Sequence, residues 1–279
     1  MKKKFSPITG ITLIEILIGV VISSIMMGAM YTAYAVVNGS YSQITDRAKI
    51  SQTGRDVVGM IMKDIQMAGY KYFGDSIQHD ATHHTPLVIT KRSNSNPPTE
   101  CDQVDIVYGD ILYDATQPVG SRKTYVRYKV TYFCLPSTII DKTVPGGKTP
   151  IQAFAVYKSK LIWDNSTNPG SWAVPRVADK TYQDQKIVEY VSDLIFNPID
   201  EEGLIISPPP SQTANTHLLY KIKSVDIGLT MRSKNFFYKN ADTRPAHSLS
   251  DAARTINKND RYLRDTITVS AYTRNLGLE

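Results

Sequence analysis

The chain opens MKKKFSPITG over residues 1–10 and continues ITLIEILIGVVISSIMMGAMYTAYAVV over 11–37. The second stretch carries one charged side chain, Glu15, in 27 residues. About 20 apolar residues are enough to cross a bilayer as a helix, so this run is long enough to do so. Lys2, Lys3 and Lys4 are expected to stay on the cytoplasmic side, which places the bulk of the chain outside. A secretory signal peptide is cut after its apolar run at a small-x-small site, and none follows this run. Glu15 is the residue that a plain signal anchor does not explain. A carboxylate within a membrane helix costs on the order of 3 kcal/mol, and such residues mark function.

The basic leader, Gly10, the apolar run and Glu15 five positions past the glycine together resemble the prepilin signal of type IV pilins. That resemblance implies a set of expectations. A membrane prepilin peptidase cuts between Gly10 and Ile11, the new amino group of Ile11 is N-methylated, and Glu15 fixes assembly register. Ile11 differs from the Phe or Met common at that position. The charge logic agrees with the resemblance. Cleavage creates a cationic amine at Ile11, and the amine of one subunit can lie beside Glu15 of a neighbour. Pairing offsets the cost of burying both charges and penalises other registers.

Downstream of the apolar run no proline occurs until Pro86. Ile50, Val57, Val58, Ile61, Ile65 and Ala68 recur at three- and four-residue spacing, the signature of an amphipathic helix. Tyr31, Tyr34 and Tyr41 suit the membrane–water interface. Gly39, Gly54 and Gly59 each lower helix stability by up to about 1 kcal/mol, so a locally melted stalk is an expectation there. Gly69 reads as the helix stop. Gly54-Arg55-Asp56-Val57 and Met67-Ala68-Gly69-Tyr70 resemble the PilW/PulJ-type minor pilins, and 272–276 (YTRNL) resembles that group's last strand.

Beyond residue 75 the period changes to two. Residues 103–108 (QVDIVY), 124–134 (TYVRYKVTYFC), 153–163, 186–196, 219–231 and 264–273 are rich in Val, Ile, Tyr and Thr, and read as strands. The expected fold is α+β: a long N-terminal helix packed on an antiparallel sheet, with the type IV pilin-like arrangement implied by the leader. The segments are a leader (1–10), a transmembrane assembly helix (11–37), an amphipathic helix (38–70) and a β-rich periplasmic head (71–279). If 103–108 and 124–134 pair antiparallel, Cys101 and Cys134 come together. An exported head is in an oxidising compartment, so a disulfide is expected, contributing roughly 3–4 kcal/mol for a loop of that length. Residues 93–98 (SNSNPP), 145–147 and 207–210 read as exposed connections, and 234–260 as a long polar insertion.

Chemistry-bearing motifs are sparse. No phosphate loop, Gly-x-Ser-x-Gly or His-Glu-x-x-His is present, so no enzyme activity and no cofactor is expected. His79, His83 and His84 read as a surface loop and not as a metal site. Asp200-Glu201-Glu202-Gly203 lacks the spacing of an EF-hand loop. The charge of +6 falls to +3 without Lys2–Lys4, with 29 basic residues against 26 acidic. That balance is too slight for a nucleic-acid surface, and nucleic acid is a partner only in a DNA-uptake pilus. The leader resemblance implies a structural subunit of the inner membrane and then of a filament. Its partners would be the prepilin peptidase, other minor pilins and the major pilin, the inner-membrane assembly platform and membrane lipid. A J-class pseudopilin of a type II secretion system, or a tip adhesion or DNA-uptake subunit, is the alternative.

Overall fold

In a computed structural model, the described residues are 10, 12–71, 77, 80, 84–91, 101–113, 115–141, 150–164, 170–173, 181–246 and 256–276. The chain divides into two compact units, Met1–Asp46 and Arg47–Glu279. One helix, α1 (Leu13–Met67), contributes to both. It is unbroken at Gly39, Gly54 and Gly59, where the sequence alone admits a melted stalk.

In the first unit α1 is exposed from Leu13 onward, with Leu13, Ile14, Ile16, Leu17, Val20, Ile25, Met27 and Met30 among its uncovered apolar side chains. Lone surface apolars need no explanation, but a continuous apolar surface of this extent requires a non-aqueous partner. This helix is long and apolar enough to cross a membrane.

In the second unit α1 buries Ile50, Gly54, Val57, Val58, Ile61 and Ile65, the face the spacing predicts. Those residues join one core with the sheet, including Ile106, Val130, Tyr132, Leu194, Phe196, Ile227 and Leu229. The strands are β1 (Leu87–Thr90), β2 (Gln103–Tyr113), β3 (Lys123–Pro136), β4 (Phe154–Asp164), β5 (Ser171–Ala173), β6 (Tyr182–Ile199), β7 (Ser224–Arg232), β8 (Asp242–Ala246), β9 (Ile256–Asp260) and β10 (Arg264–Tyr272). The main sheet has the order β1-β2-β3-β4-β6-β7-β10, with β5 added on β4, and every pairing is antiparallel. The fold is α+β, a long N-terminal helix and an antiparallel sheet.

Two differences from the sequence reading have local causes. The strand expected from Leu219 starts at Ser224, because Thr216–Lys221 forms a 3-10 turn. Leu219 and Ile222 are both fully buried. Their three-residue spacing places them on one side of such a turn, where an extended strand would separate them. The polar segment expected as an insertion contains a second, two-stranded sheet, β8 on β9. Residues 93–98 and 145–147 lie outside the described residues.

The helix end is built by the Met67-Ala68-Gly69-Tyr70 segment. Gly69 has φ +75°, a left-handed conformation that side chains resist. A β-carbon there would lie 2.9 Å from the Asn275 carbonyl oxygen. The Gly69 N–H donates to the Val107 carbonyl at 2.9 Å, and the Gly109 N–H donates to the Tyr70 carbonyl at 2.7 Å. Asn275 Nδ2 donates to the free Gln66 carbonyl at 3.0 Å. The chain after β10 thereby caps the helix C-terminus and covers an orphan acceptor of its last turn.

Candidate functional site: the start of the apolar helix

Helix α1 begins with Thr12-Leu13-Ile14-Glu15, a Thr-x-x-Glu capping box. The Glu15 N–H lies 3.4 Å from Thr12 Oγ1 and 3.1 Å from the Thr12 carbonyl oxygen. In return, Glu15 Oε2 accepts the Thr12 backbone N–H at 2.8 Å and the Thr12 hydroxyl at 2.9 Å. Negative charge in the first turn also opposes the positive end of the helix dipole. The capping box escaped the sequence reading, although Thr-x-x-Glu just before an apolar run is a readable signal. Glu15 therefore has a role within its own chain. Its second oxygen, Oε1, accepts nothing from any described residue.

Gly10 is exposed and precedes the helix, while Ile11, the other side of the expected cut, lies outside the described residues. Three hydroxyls farther along, on Ser23, Ser24 and Thr32, are internally satisfied. Ser23 donates to the Gly19 carbonyl at 2.7 Å, Ser24 to Val20 at 2.8 Å and Thr32 to Ala29 at 2.8 Å. Such back-bonding removes most of the cost of placing hydroxyls in hydrocarbon. Glu15 Oε1 has no such local partner among the described residues, and a carboxylate oxygen in hydrocarbon calls for one from outside.

In the second unit, α1 is tied to the sheet by charge as well as by packing. Asp64 accepts the Tyr132 hydroxyl at 2.5 Å and pairs with Lys158 at 2.7 Å. The two charged side chains are 17% and 11% exposed, so each depends on the other for compensation. Lys158 also lies 5.2 Å from the Tyr132 ring centre. Burial, reinforced by the Asp64 charge and hydrogen bond, pushes the Tyr132 hydroxyl far above its ordinary range. Nothing in the alternating 153–163 pattern singles out Lys158 as a helix-facing residue.

Cys101 and Cys134 are joined by a disulfide, with Cα atoms 5.6 Å apart. The β2–β3 register, Val104 opposite Tyr132, brings the two ends together. Beside it, fully buried Asp102 accepts Lys91 Nζ at 2.9 Å and the Phe196 N–H at 3.1 Å, and so links β2 to β6.

His79 and His83 lie outside the described residues. His84 is buried against Arg127, 3.2 Å from its guanidinium, and meets the edge of Trp163. Asp200 is used locally, accepting the N–H groups of Glu202 at 3.0 Å and Leu204 at 2.8 Å. Among the described residues, no group of three or more His, Cys, Asp or Glu side chains is placed to hold a metal.

No family model and no curated protein sequence matches the chain. Among solved structures, a type IV-like pilin from Thermus thermophilus matches at 11% identity with a TM-score of 0.46, covering 81% of this chain and 96% of that one. At that distance the likeness does not assign a function.

Proposed function

We propose that the chain is the precursor of a minor pilin: a structural subunit that helps prime a type IV pilus and sits near its tip. Its N-terminal sequence carries the reading, with Lys2–Lys4, Gly10, an uninterrupted apolar helix and Glu15 at the fifth mature position. The geometry supports it. The Gly10–Ile11 bond precedes the capped helix, so a peptidase can cut there without unwinding α1. Cutting puts a cationic amine on Ile11, one residue before the cap, at the positive end of the helix dipole. That amine needs an anion, and Glu15 has one carboxylate oxygen to offer. Between staggered neighbours, the Ile11 amine of one subunit pairs with Glu15 of the next, and N-methylation of Ile11 retains the charge.

In this role the apolar part of α1 stores the subunit in the inner membrane, with the head in the periplasm, and then packs in the filament core. The work is assembly and not catalysis, and the partners are the peptidase, other minor pilins, the major pilin and the assembly platform. The J-class pseudopilin of a type II secretion system uses the same leader and helix. The large head and the Met67–Tyr70 segment favour the pilus, and the same bulk, which would pack poorly in thousands of copies, favours a minor over a major subunit.

Intact mass tests the reading. Protein from cells with a prepilin peptidase is expected to lack residues 1–10 and to carry one added methyl group on Ile11. Cells without the peptidase should give the full chain. An uncut chain from both strains would leave a signal-anchored domain in place of a pilin.

A further inference from the structure

β10 is an edge of the main sheet, and the order β1-β2-β3-β4-β6-β7-β10 leaves one of its two sides open. The phase of its hydrogen bonds decides which residues face that side. Leu263 accepts the Ser233 N–H at 2.8 Å, and the Thr273 N–H donates to the Lys223 carbonyl at 3.0 Å. Both pairs continue the β7–β10 register, which runs from Arg264 opposite Arg232 to Tyr272 opposite Ser224. In an antiparallel pair, directly opposed residues exchange bonds at every second position. The odd-numbered residues of β10 therefore bond to β7, and Thr266, Thr268, Ser270 and Tyr272 turn their N–H and C=O groups outward. Among the described residues, no hydrogen bond reaches the backbone of those four. Thr268, Ser270 and Tyr272 are exposed.

Natural sheet edges are kept from pairing by shortness, bulges, proline or lysine. β10 has nine residues against four in β1, the other edge, and its register with β7 is unbroken. Residues 266–272 (TITVSAY) hold no charge, proline or glycine and are rich in β-branched side chains. The two faces of the strand differ. Ile267 and Val269 pack against the core. On the other face Thr266 shares a hydrogen bond with Thr230 at 2.9 Å, and Ser270 donates to Asp226. Positive charge gathers at the start of the strand. Residues 232–264 hold eight basic residues against three acidic, a larger excess than the +3 of the whole chain without Lys2–Lys4. Burial, then repulsion from Arg264 and Arg232, draws the Lys258 ammonium below its ordinary range against the pull of Asp260.

Only an extended backbone matches donors and acceptors that repeat at every second residue, so the occupant of this edge is a strand. We propose that β10 accepts an extended segment of another protein as an antiparallel edge strand, with apolar residues beside Ile267 and Val269, hydroxyl residues beside Thr266, Thr268 and Ser270, and an acidic C-terminal end beside Arg264 and Lys258. Apolar neighbours extend the core past Ile267 and Val269, and hydroxyl neighbours pair across the other face. The acids meet the positive excess and fix the register. The site belongs to the head and does not depend on how the apolar part of α1 is used.

The test is fluorescence anisotropy on the full chain in detergent. The probe is a dye-labelled peptide that alternates valine and threonine and ends in paired aspartates. Saturable binding is expected with a Kd of about 0.1 mM. The threonines lie opposite Thr266, Thr268 and Ser270, so their amides face β10. N-methylation of the threonine amides should abolish binding, and N-methylation of the valine amides should leave it. Thr268→Pro removes an outward N–H, a change that an edge strand tolerates toward solvent, and should weaken binding about tenfold. Thr268→Ala should bind like wild type. Lysines in place of the aspartates should weaken binding about threefold. If Thr268→Pro fails to fold, the two N-methylated peptides decide. The proposal is overturned by no saturable binding, by binding that survives N-methylation of the threonines, by a folded Thr268→Pro that binds like wild type, or by the lysine-ended peptide binding as tightly.

Discussion

The two parts of α1 use the same backbone for opposite ends. From Leu13 to Ile44 the apolar side chains are uncovered, the hydroxyls of Ser23, Ser24 and Thr32 bond back to their own helix, and among the described residues the acid Glu15 is bonded only within its own first turn. From Arg47 to Met67 one apolar face is covered by the sheet, and the acid Asp64 is held by residues of other elements, its Oδ2 meeting both Tyr132 and Lys158. A helix that is apolar all round gains nothing from water and needs a lipid or protein partner. A helix apolar on one face is already committed to its own fold. On the proposed function, stability and assembly are written on separate stretches, and substitutions can separate them.

The sharpest separation comes from the two acids. Asp64→Ala leaves Lys158 buried without its partner and is expected to cost the head about 3–5 kcal/mol, read by denaturant unfolding of the full chain in detergent. Glu15→Ala should leave that unfolding curve in place and abolish incorporation into filaments, read by immunoblotting of sheared filaments. A head destabilised by Glu15→Ala would break the comparison. So would normal incorporation of that variant.

Next in size is the covalent tie. Reducing the Cys101–Cys134 bridge, or replacing both cysteines by serine, is expected to cost about 3–4 kcal/mol in the same unfolding assay, since it closes a loop of 33 residues. Helicity of the apolar stretch, followed by circular dichroism in detergent, should not respond.

Two glycines sharpen the contrast further because the effects have opposite sign. A β-carbon on Gly54 would collide with the Ile267 side chain and press on Met231, so this glycine lets α1 approach β7 and β10 closely. Gly54→Ala is expected to destabilise by about 1 kcal/mol, the overpacking against the ends of Ile267 and Met231 outweighing the gain in helix propensity. Gly39 has open space around it, and Gly39→Ala should strengthen the helix by up to about 1 kcal/mol. Thermal unfolding of the two variants side by side measures the pair.

Those glycines also show where sequence reading stops. The helix, its buried face and its stop at Gly69 were legible because periodicity and a φ > 0 residue are local signals. The long strands and the approach of the two cysteines followed from alternation and one assumed pairing. Gly39 and Gly54 look alike in the sequence, and only a residue 213 positions away, Ile267, makes one a spacer and leaves the other a weak point. The same holds for Asp64 with Lys158. The β8–β9 sheet was hidden because its strands are polar. Their surroundings are held by arginines on aromatic rings, Arg244 on Tyr238 and Arg261 on Phe236, and not by an apolar stripe. At the helix start, the capping box was legible but was overshadowed by the membrane reading of Glu15.

The smallest expected effect concerns acid. The apolar stretch holds one carboxylate, so any acid sensitivity of unfolding belongs to the head. Asp260 is a clear contributor. Partial burial alone would raise its pKa, but the two bonds and the charge of Arg264, with the Tyr262 N–H at 3.1 Å, outweigh burial and hold it below the ordinary carboxylate range. A carboxyl with a lowered folded pKa contributes stability that is fully present above its unfolded value, near 4, and is lost as pH falls through the folded value. The Asp260→Asn variant should therefore be less stable than wild type at neutral pH, and the gap should close below about pH 4. The Asp260 side chain is 24% exposed, and solvent partly screens the pair, so the neutral-pH gap is expected at about 1 kcal/mol. Unfolding of both proteins from pH 7 to pH 3 measures it. A constant gap across that range would mean that the asparagine disturbs packing at the β9–β10 turn and that the Arg264 pair does not supply the stability.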